Sequence, residues 1–302
     1  MSINPTRRRF LAITAAAAVT APAAADRAAP VTWQGFALGA EVRLTLHAPP
    51  PLAQQAIAAA LAELRRTERL FSLYDPASAL SRLNRSGVLL RPPRQFLQLA
   101  RLCTRMHEAT KGVFDPAVQP LWQAMSRGED PAAAARLAGW HKVTVRKQAI
   151  RLAPGQALTF NGIAQGFAAD LVRTALTGLG LGPVLIDTGE FAALGGPFRL
   201  GLADPDRGLF AARSLTGGAI ATSSPAALRL AGGTHILHPD PQRRPLWATV
   251  STEAAGAALA DAASTAFCLM SKAEITAALA RLPRGTRATL LGLDGSVTTL
   301  EG

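Results

Sequence analysis

The chain has 302 residues, of which 32 are Lys or Arg and 20 are Asp or Glu, so its formal net charge is +12. This length supports one large domain or two closely packed ones. Nucleic-acid binding is disfavoured, because the arginines are scattered along the sequence and one tyrosine beside eleven phenylalanines offers few stacking platforms. Attraction to phosphorylated ligands is compatible with the charge.

The N-terminus is typical of an export signal. Arginines at positions 7–9 precede an apolar run over residues 11–19, and alanines at 23–25 supply a small-residue cleavage site. This pattern indicates a twin-arginine signal peptide at residues 1–25. The apolar run is too short to span a membrane, and no cysteine follows it to receive a lipid. We therefore expect a soluble periplasmic protein whose mature domain spans residues 26–302.

The first half of the mature sequence predicts a strand pair followed by two helices. Residues 31–46 are broken at Gly39, and prolines at 49–51 end the pair. A helix follows, with a periodic apolar face. That face consists of Ile57, Leu61 and Leu64. A second helix is expected over residues 94–110, with an apolar stripe of Phe96, Leu99, Cys103 and Met106.

The second half contains more strands than helices. Residues 141–152 predict a hairpin, and residues 158–160 predict a buried strand that leads into a glycine-spaced turn and a helix. The buried stripe of that helix is predicted to be Phe167, Leu171 and Ala175. Further strands are expected at residues 184–186, 198–202, 219–222, 228–230, 234–237 and 248–251. An Ala-rich helix and a hairpin at Asp294-Gly295 close the chain. Strands in adjacent runs with helices between them favour an α+β fold with antiparallel sheets.

Two local patterns have simple structural interpretations. The Gly-Leu-Gly-Leu-Gly run at 178–182 resembles part of a dinucleotide fingerprint, but it leads into a strand, so we interpret it as a helix stop. Cys103 and Cys268 could pair in an oxidising compartment. Each lies on an apolar helical stripe, which favours two buried thiols.

Two segments suggest an anion and metal site. Gly162 and Gly166 flank a helix start, where exposed backbone N–H groups attract phosphate, although a glycine turn alone is more often a plain connection. Asp261 and Thr265 are four residues apart in the Ala-rich helix, so a carboxylate and a hydroxyl share one face. Such hard oxygen ligands suit Mg²⁺ with substrate phosphates.

Eight short segments, taken in order, resemble the ApbE family of FAD:protein FMN transferases over nearly the whole mature chain. They are Leu38-Gly39, Ser72-Leu73-Tyr74, Phe114-Asp115-Pro116, Gly162-Ile163-Ala164, Asp187-Thr188-Gly189, Ala221-Thr222-Ser223, His235-Ile236 and Ala260-Asp261. Each segment is commonplace alone, and eight in the same order are specific.

The resemblance implies an ApbE-like, T-fold-like α+β fold of antiparallel sheets packed with helices. It implies an enzyme that binds FAD and Mg²⁺, transfers FMN to a Thr or Ser hydroxyl of a membrane-linked electron-transfer flavoprotein and releases AMP. The flavin contacts that it implies are Leu38, Tyr74, Phe114, Asp115, Thr159, Gln165 and Leu237. The implied metal ligands are Asp261, Thr265 and the carbonyl of Gly162, and His235 corresponds to the general base.

Each candidate residue also has a plain structural explanation. Tyr74 could cap the core, Asp115 could be a turn residue before a proline, and His235 could bond only to backbone at a strand end. His235 and His238 also suggest zinc, but on a strand their side chains would point to opposite faces.

The sequence departs from the family pattern at several positions. His238 stands where the family usually has aspartate, and Ser224 stands where it usually has glycine. Two further departures lie in the presumed flavin site. Thr159 stands where the family usually has aspartate, and Gln165 stands where it usually has lysine. These departures favour one alternative function, a flavin-binding protein without transfer activity. A second alternative is a Mg²⁺-dependent FAD pyrophosphatase, in which water replaces the acceptor hydroxyl.

Overall fold

The computed structural model describes residues 30–240 and 242–302, so the predicted signal peptide lies outside the described residues. In chain order the strands are β1 (Val31–Ala37), β2 (Ala40–Leu46), β3 (Val88–Leu90), β4 (Thr144–Val145), β5 (Ala149–Arg151), β6 (Val184–Asp187), β7 (Phe191–Leu194), β8 (Phe198–Asp204), β9 (Gly208–Leu215), β10 (Ala219–Ser223), β11 (Arg229–Leu230), β12 (Gly233–Thr234), β13 (Trp247–Ala254), β14 (Arg287–Gly292) and β15 (Val297–Glu301). The helices are α1 (Pro50–Phe71), α2 (Ala79–Ser86), α3 (Arg94–Ala109), α4 (Gln119–Arg127), α5 (Pro131–Leu137), α6 (Ala164–Gly178), α7 (Ala257–Phe267) and α8 (Lys272–Leu279).

The central sheet has the strand order β1-β2-β6-β7-β10-β13-β14-β15, and neighbouring strands are antiparallel throughout. This confirms the predicted α+β class. Smaller sheets are formed by β3-β5-β4, β8-β9 and β11-β12. No helix in residues 30–240 or 242–302 is long and apolar enough to cross a membrane.

Both faces of the sheet centre are covered, as the alternation of side chains along β6 and β7 requires. Ile186 and Ala192 pack with α1 and α6. Leu185 and Ala193 point the other way and pack against Phe198 and neighbouring residues of the β8-β9 hairpin. Because successive side chains alternate between faces, a strand buried on both sides consists almost entirely of apolar residues.

A second core joins α2, α3, α7 and α8 beside the sheet. Four phenylalanine rings form its centre, with ring centroids 5.3–5.9 Å apart in tilted or edge-to-face pairs. They are Phe71, Phe96, Phe160 and Phe167. Phe160 and Phe167 flank the glycine turn in sequence, so the aromatic cluster anchors both ends of the turn in the core.

Several sequence predictions agree with the fold. The strand pair over residues 31–46 turns at Leu38 and Gly39, and the predicted helix over residues 94–110 is α3. The glycine run at 178–182 ends α6, and the closing hairpin is β14-β15. Cys103 and Cys268 are two buried free thiols.

The predicted strand at residues 158–160 is wrong. The segment is buried but irregular, because a side chain replaces the missing strand partner. Asn84 accepts a hydrogen bond from the N–H of Leu158 at 2.8 Å and donates to the carbonyl of Leu158 at 2.9 Å. Thr159 N–H then donates to the carbonyl of Pro116 at 2.8 Å.

Two element boundaries and one buried stripe also differ from prediction. The strand expected at 234–237 ends at Thr234, so His235 lies in a loop and not on a strand. The predicted hairpin at 141–152 starts with a 3₁₀ turn, Trp140–Lys142. The buried stripe of α6 is rotated by one residue from the predicted one, because Val172 and Leu176 are buried where Leu171 and Ala175 are only half-buried.

Candidate functional site

The predicted site residues surround two adjoining cavities. A main cleft is lined by nine of them, namely Phe114, Asp115, Thr159, Gly162, Gln165, His235, Leu237, Asp261 and Thr265. The other two, Leu38 and Tyr74, line a smaller neighbouring cavity. Asn161 and Gln165 line both cavities, so the glycine turn is the wall between them.

The carboxylate of Asp261 links α7 to the start of α6. Its Oδ2 accepts a hydrogen bond from the backbone N–H of Gly166 at 3.1 Å, and the residue is 3% exposed. Its other oxygen, Oδ1, accepts no hydrogen bond within the described part of the chain. Burial raises the pKa of Asp261 to about 7, with the Gly166 N–H opposing that rise. A buried carboxylate with one unused oxygen is suited to a cation.

The hydroxyl of Thr265 lies between the glycine turn and β10. A Cβ atom on Gly162 would be 2.9 Å from Thr265 Oγ1, so the backbone of the turn packs directly on this side chain. On the other side Ser223 Oγ lies 3.3 Å from Thr265 Oγ1 and 2.8 Å from Ser264 Oγ. The predicted carboxylate, hydroxyl and turn therefore converge on one corner of the cleft.

Glu190 is an additional acid in this cleft that the sequence patterns did not identify. It is 7% exposed, and its Oε2 accepts a hydrogen bond from the N–H of Thr222 at 3.0 Å. Burial raises the pKa of Glu190 well above its usual value, and the nearby charge of Asp261 raises it further. No Lys or Arg is among the residues that line the cleft in the described ranges.

This donor set fits Mg²⁺. Two buried carboxylates without a neighbouring cation are unfavourable when both are ionised, and a divalent ion would relieve the repulsion. The described residues contain no group of three or more His, Cys, Asp and Glu side chains arranged for a metal. Hydroxyl, carbonyl, water and substrate oxygens would have to complete the coordination shell, which is usual for Mg²⁺ and unusual for zinc.

His235 lies in the loop after β12 and lines the cleft. Its Nδ1 is 3.1 Å from the carbonyl oxygen of Leu228, which can only accept, so Nδ1 carries the proton and Nε2 carries the lone pair. Burial lowers the pKa of His235, and hydrogen bonding to the backbone of Leu228 and Pro225 opposes this in part. The ring is therefore neutral at neutral pH, the form that a general base requires.

His238 is held differently. Its Nδ1 accepts a hydrogen bond from the backbone N–H of Asp240 at 2.9 Å, and it is not among the residues that line the cleft. Burial lowers the pKa of His238, and Arg243 lowers it further.

Another part of the cleft wall is the loop that contains Phe114 and Asp115. The backbone of Phe114 is fixed by the end of α3, since its N–H donates to Thr110 Oγ1 at 3.0 Å and its carbonyl lies 2.9 Å from His107 Nδ1. Asp115 accepts from the N–H groups of Ala117 and Trp140 at 2.8 and 3.1 Å. Both oxygens of Asp115 thus order the loop, which gives it the structural role of a turn residue within the cleft wall.

The remaining predicted contacts lie around the turn. Thr159 Oγ1 accepts from the N–H of Asn161 at 3.2 Å and so caps the glycine turn locally. The side chain of Gln165 lies against Gly189, where an added Cβ would be 3.0 Å from Gln165 Nε2. Leu237 has no backbone hydrogen bond to other described residues, so its N–H and carbonyl remain available to a ligand.

The smaller cavity is marked by two unusual residues. Leu38 has a φ of +54°, followed by +78° at Gly39, so a leucine occupies a left-handed position in the β1-β2 turn. Its N–H donates to Glu68 Oε1 at 2.7 Å. Tyr74 is 78% exposed, so it does not cap the core. A strained leucine and an exposed tyrosine at the edge of one cavity are typical of ligand contacts rather than of packing.

The structural roles of two supporting residues were also missed in the sequence. Gly166 is required for packing rather than for ligand approach, because a Cβ there would collide with the carbonyl of Ala257 at the start of α7. Asp170 accepts from the N–H groups of Ala257 and Ala258 at 2.9 and 3.0 Å, which caps α7 from outside its own helix. Only the tertiary arrangement of α6 and α7 reveals these roles.

Several solved protein structures have a fold similar to that of this chain. The apo flavinyl transferase ApbE of Pseudomonas stutzeri is 22% identical, with a TM-score of 0.79 over 91% of this chain and 96% of that one. The ApbE protein of Thermotoga maritima is 22% identical, with a TM-score of 0.80 over 90% and 97%. The flavin transferase ApbE of Vibrio cholerae is 19% identical, with a TM-score of 0.76 over 90% and 97%.

No curated protein is similar enough in sequence to count as a relative. The family model described as the ApbE family matches residues 38–290. That range contains every residue of the two cavities and all of the central sheet except the edge strands β1 and β15 and the last two residues of β14. The chain therefore belongs to the ApbE family.

Proposed function

We propose that this protein is a Mg²⁺-dependent FAD:protein FMN transferase. In this reaction an acceptor Thr or Ser hydroxyl attacks the FMN phosphorus of FAD, the bond from that phosphorus to the bridging diphosphate oxygen breaks, and AMP leaves while the hydroxyl proton passes to a base. The observation that supports the proposal best is the convergence of eleven residues, separated by up to 227 positions in sequence, around two cavities that share the glycine turn.

In the proposed mechanism Asp261 and Thr265, with the carbonyl of Gly162, hold Mg²⁺. The metal would neutralise charge on the non-bridging diphosphate oxygens. Such help is needed, because the described cleft lining has carboxylates at Asp115, Glu190 and Asp261 and no Lys or Arg. In the first turn of α6 the N–H groups of Ala164 and Gly166 are bonded to Phe160 and Asp261, so the Gln165 N–H is the donor left for an anion among the described residues.

His235 is the proposed general base toward the acceptor hydroxyl. Its neutral ring, with Nδ1 bonded to the Leu228 carbonyl, leaves Nε2 to take the proton. The proposed flavin contacts are divided between the cleft and the smaller cavity. Leu38 and Tyr74 would contact the part of the flavin that reaches past the glycine turn.

The proposed location is the periplasm, on the basis of the sequence pattern at residues 1–25. The proposed acceptor is a flavoprotein of a membrane-linked electron-transfer chain.

The test uses FAD, Mg²⁺ and a peptide that carries the acceptor threonine, with the Thr→Ala peptide as its matched control. We expect AMP release and a peptide that gains the mass of FMN, and neither with the control peptide. AMP and free FMN without any acceptor would support the pyrophosphatase instead.

The two departures at Thr159 and Gln165 motivate a second arm. The variant Thr159→Asp with Gln165→Lys should retain transfer if the natural site is already active. Transfer that occurs only in this variant would contradict the proposal and support a natural flavin-binding protein without activity.

A further inference from the structure

The solvent-facing side of α3 and the adjoining β3–β5 sheet form a continuous basic face. Two open grooves on this face share Leu97, Gln98, Arg101 and Lys147. Their cationic lining residues are Arg91, Arg94, Arg101, Arg105, Arg146 and Lys147. These six cations are spread over 57 positions of the sequence, and the fold brings them together on one face.

The cations of the basic face are not neutralised by the protein. No Asp or Glu lines either groove in the described ranges, and none of the six side chains makes an ion pair within the described part of the chain. Glu108 follows Arg105 by three positions on α3 without pairing with it. All six are exposed. Unpaired like charges repel one another, so an anionic partner would be stabilising here.

The shape and composition of the basic face suit one class of partner. Arg94, Arg101 and Arg105 follow one side of α3 over about 16 Å at 1.5 Å per residue. The charges are therefore spread along a surface and do not converge on one small anion. Leu90, in the same groove, is 65% exposed and precedes Arg91 directly. Among the described residues no aromatic side chain lines either groove, which disfavours stacked single-stranded nucleic acid.

We propose that this basic face binds an anionic phospholipid surface, with the cations on the headgroups and Leu90 at the acyl boundary. A row of exposed cations beside an exposed apolar side chain is the pattern of interfacial membrane binding. The proposal does not depend on flavin transfer, because the basic face shares no lining residue with the two cavities of the site.

The test measures sedimentation of the full chain with vesicles of phosphatidylglycerol and phosphatidylcholine, and with vesicles of phosphatidylcholine alone. Binding should require phosphatidylglycerol and weaken as NaCl is raised. The double variant Arg101→Gln with Arg105→Gln should bind about 25-fold more weakly, at about fivefold per cation. The matched control is Arg199→Gln with Arg284→Gln, which removes two exposed arginines outside both grooves and should bind nearly as wild type. Both double variants lose two positive charges and keep arginines 7–9. A difference in vesicle binding between them therefore cannot come from those arginines.

Three results would overturn the proposal. Equal weakening by both double variants would mean that net charge, and not this face, causes binding. Binding of the wild type to polyglutamate but not to the anionic vesicles would identify an acidic polypeptide as the partner. The variant Leu90→Ser should weaken vesicle binding and leave polyglutamate binding unchanged, and the opposite pattern would also contradict a membrane surface.

Discussion

Asp261 on α7 accepts a hydrogen bond from the backbone N–H of Gly166 on α6, with 3.1 Å between Oδ2 and N. This bond fixes the proposed metal ligand to the helix whose first turn would face the diphosphate. Asp170 holds the start of α7 from the same helix α6, through the N–H groups of Ala257 and Ala258. The position of the carboxylate is therefore set by the crossing of two helices.

The first prediction concerns Asp261→Asn. Asparagine keeps an oxygen for the Gly166 N–H and removes a charge that burial disfavours, so the fold should be as stable as wild type or more stable without metal. Mg²⁺ should no longer raise the melting temperature, and transfer should fall by about 10²-fold or more, since the metal supplies several kcal/mol.

The matched control for this prediction is Asp204→Asn, another buried aspartate, which lies outside the cleft lining and accepts from Thr249. Metal-induced stabilisation should persist there. An unchanged Mg²⁺ response in Asp261→Asn would place the metal elsewhere, with Asp187 and Glu190 next to examine.

The second prediction concerns His235→Ala. Transfer should fall by about 10²- to 10⁴-fold, because a positioned base is lost, while FAD affinity measured by fluorescence quenching should change little. His238→Ala is the matched control, since its ring lies outside the cleft lining. If His238→Ala abolished transfer and His235→Ala spared it, the base would be His238.

The third prediction concerns Leu38→Asn. Asparagine tolerates φ near +54° better than leucine, so relief of strain should offset lost packing, and the free energy of unfolding should change by less than about 1 kcal/mol. FAD affinity should fall about tenfold if Leu38 contacts the flavin. Leu209→Asn, at an exposed leucine of the β8-β9 hairpin, is the control. Equal FAD affinity in both variants would remove Leu38 from the site.

The fourth prediction uses Asp187, whose pKa burial raises to about 6, with the Gly189 N–H and Arg43 opposing the rise. The folded state then binds the proton more tightly than the unfolded state, so this residue's contribution to stability is present below about pH 4 and is lost as pH rises through 6. Asp187→Asn should unfold like wild type near pH 4.

At pH 7 the same variant should be more stable than wild type by about 1–3 kcal/mol, since one pKa unit corresponds to about 1.4 kcal/mol. Urea titrations at both pH values measure this difference. A variant that is less stable than wild type at pH 7 would show that the ionised carboxylate is favourable in the fold.

The sequence predicted elements with regular periodicity and missed those defined by tertiary hydrogen bonds. The α3 stripe of Phe96, Leu99 and Cys103 could be identified because its period is local. The irregular backbone at Leu158 could not be predicted, since a run of apolar residues predicts a strand. The side-chain amide of the distant Asn84 makes the two hydrogen bonds that a neighbouring strand would otherwise supply. The strand β9 was also missed. Its residues are partly exposed, so the strand has no regular apolar pattern that the sequence could reveal.

Residues that line the cleft could be predicted from the sequence, but the charge of the cleft could not. Ordered motifs identified Asp261, Thr265 and His235. Glu190 was not identified, because its burial beside Asp261 results from the pairing of β7 with β10 and not from any local pattern. That the cleft lining has no Lys or Arg among the described residues also emerges only when the elements are assembled.

The most direct test of flavin transfer measures AMP and FMN-modified peptide together in one reaction with FAD, with Mg²⁺ or with EDTA. We expect equal amounts of the two products with Mg²⁺, neither product with EDTA, and neither product in Asp261→Asn. FMN-modified peptide formed equally well with EDTA, or AMP formed without modified peptide, would contradict the proposed function.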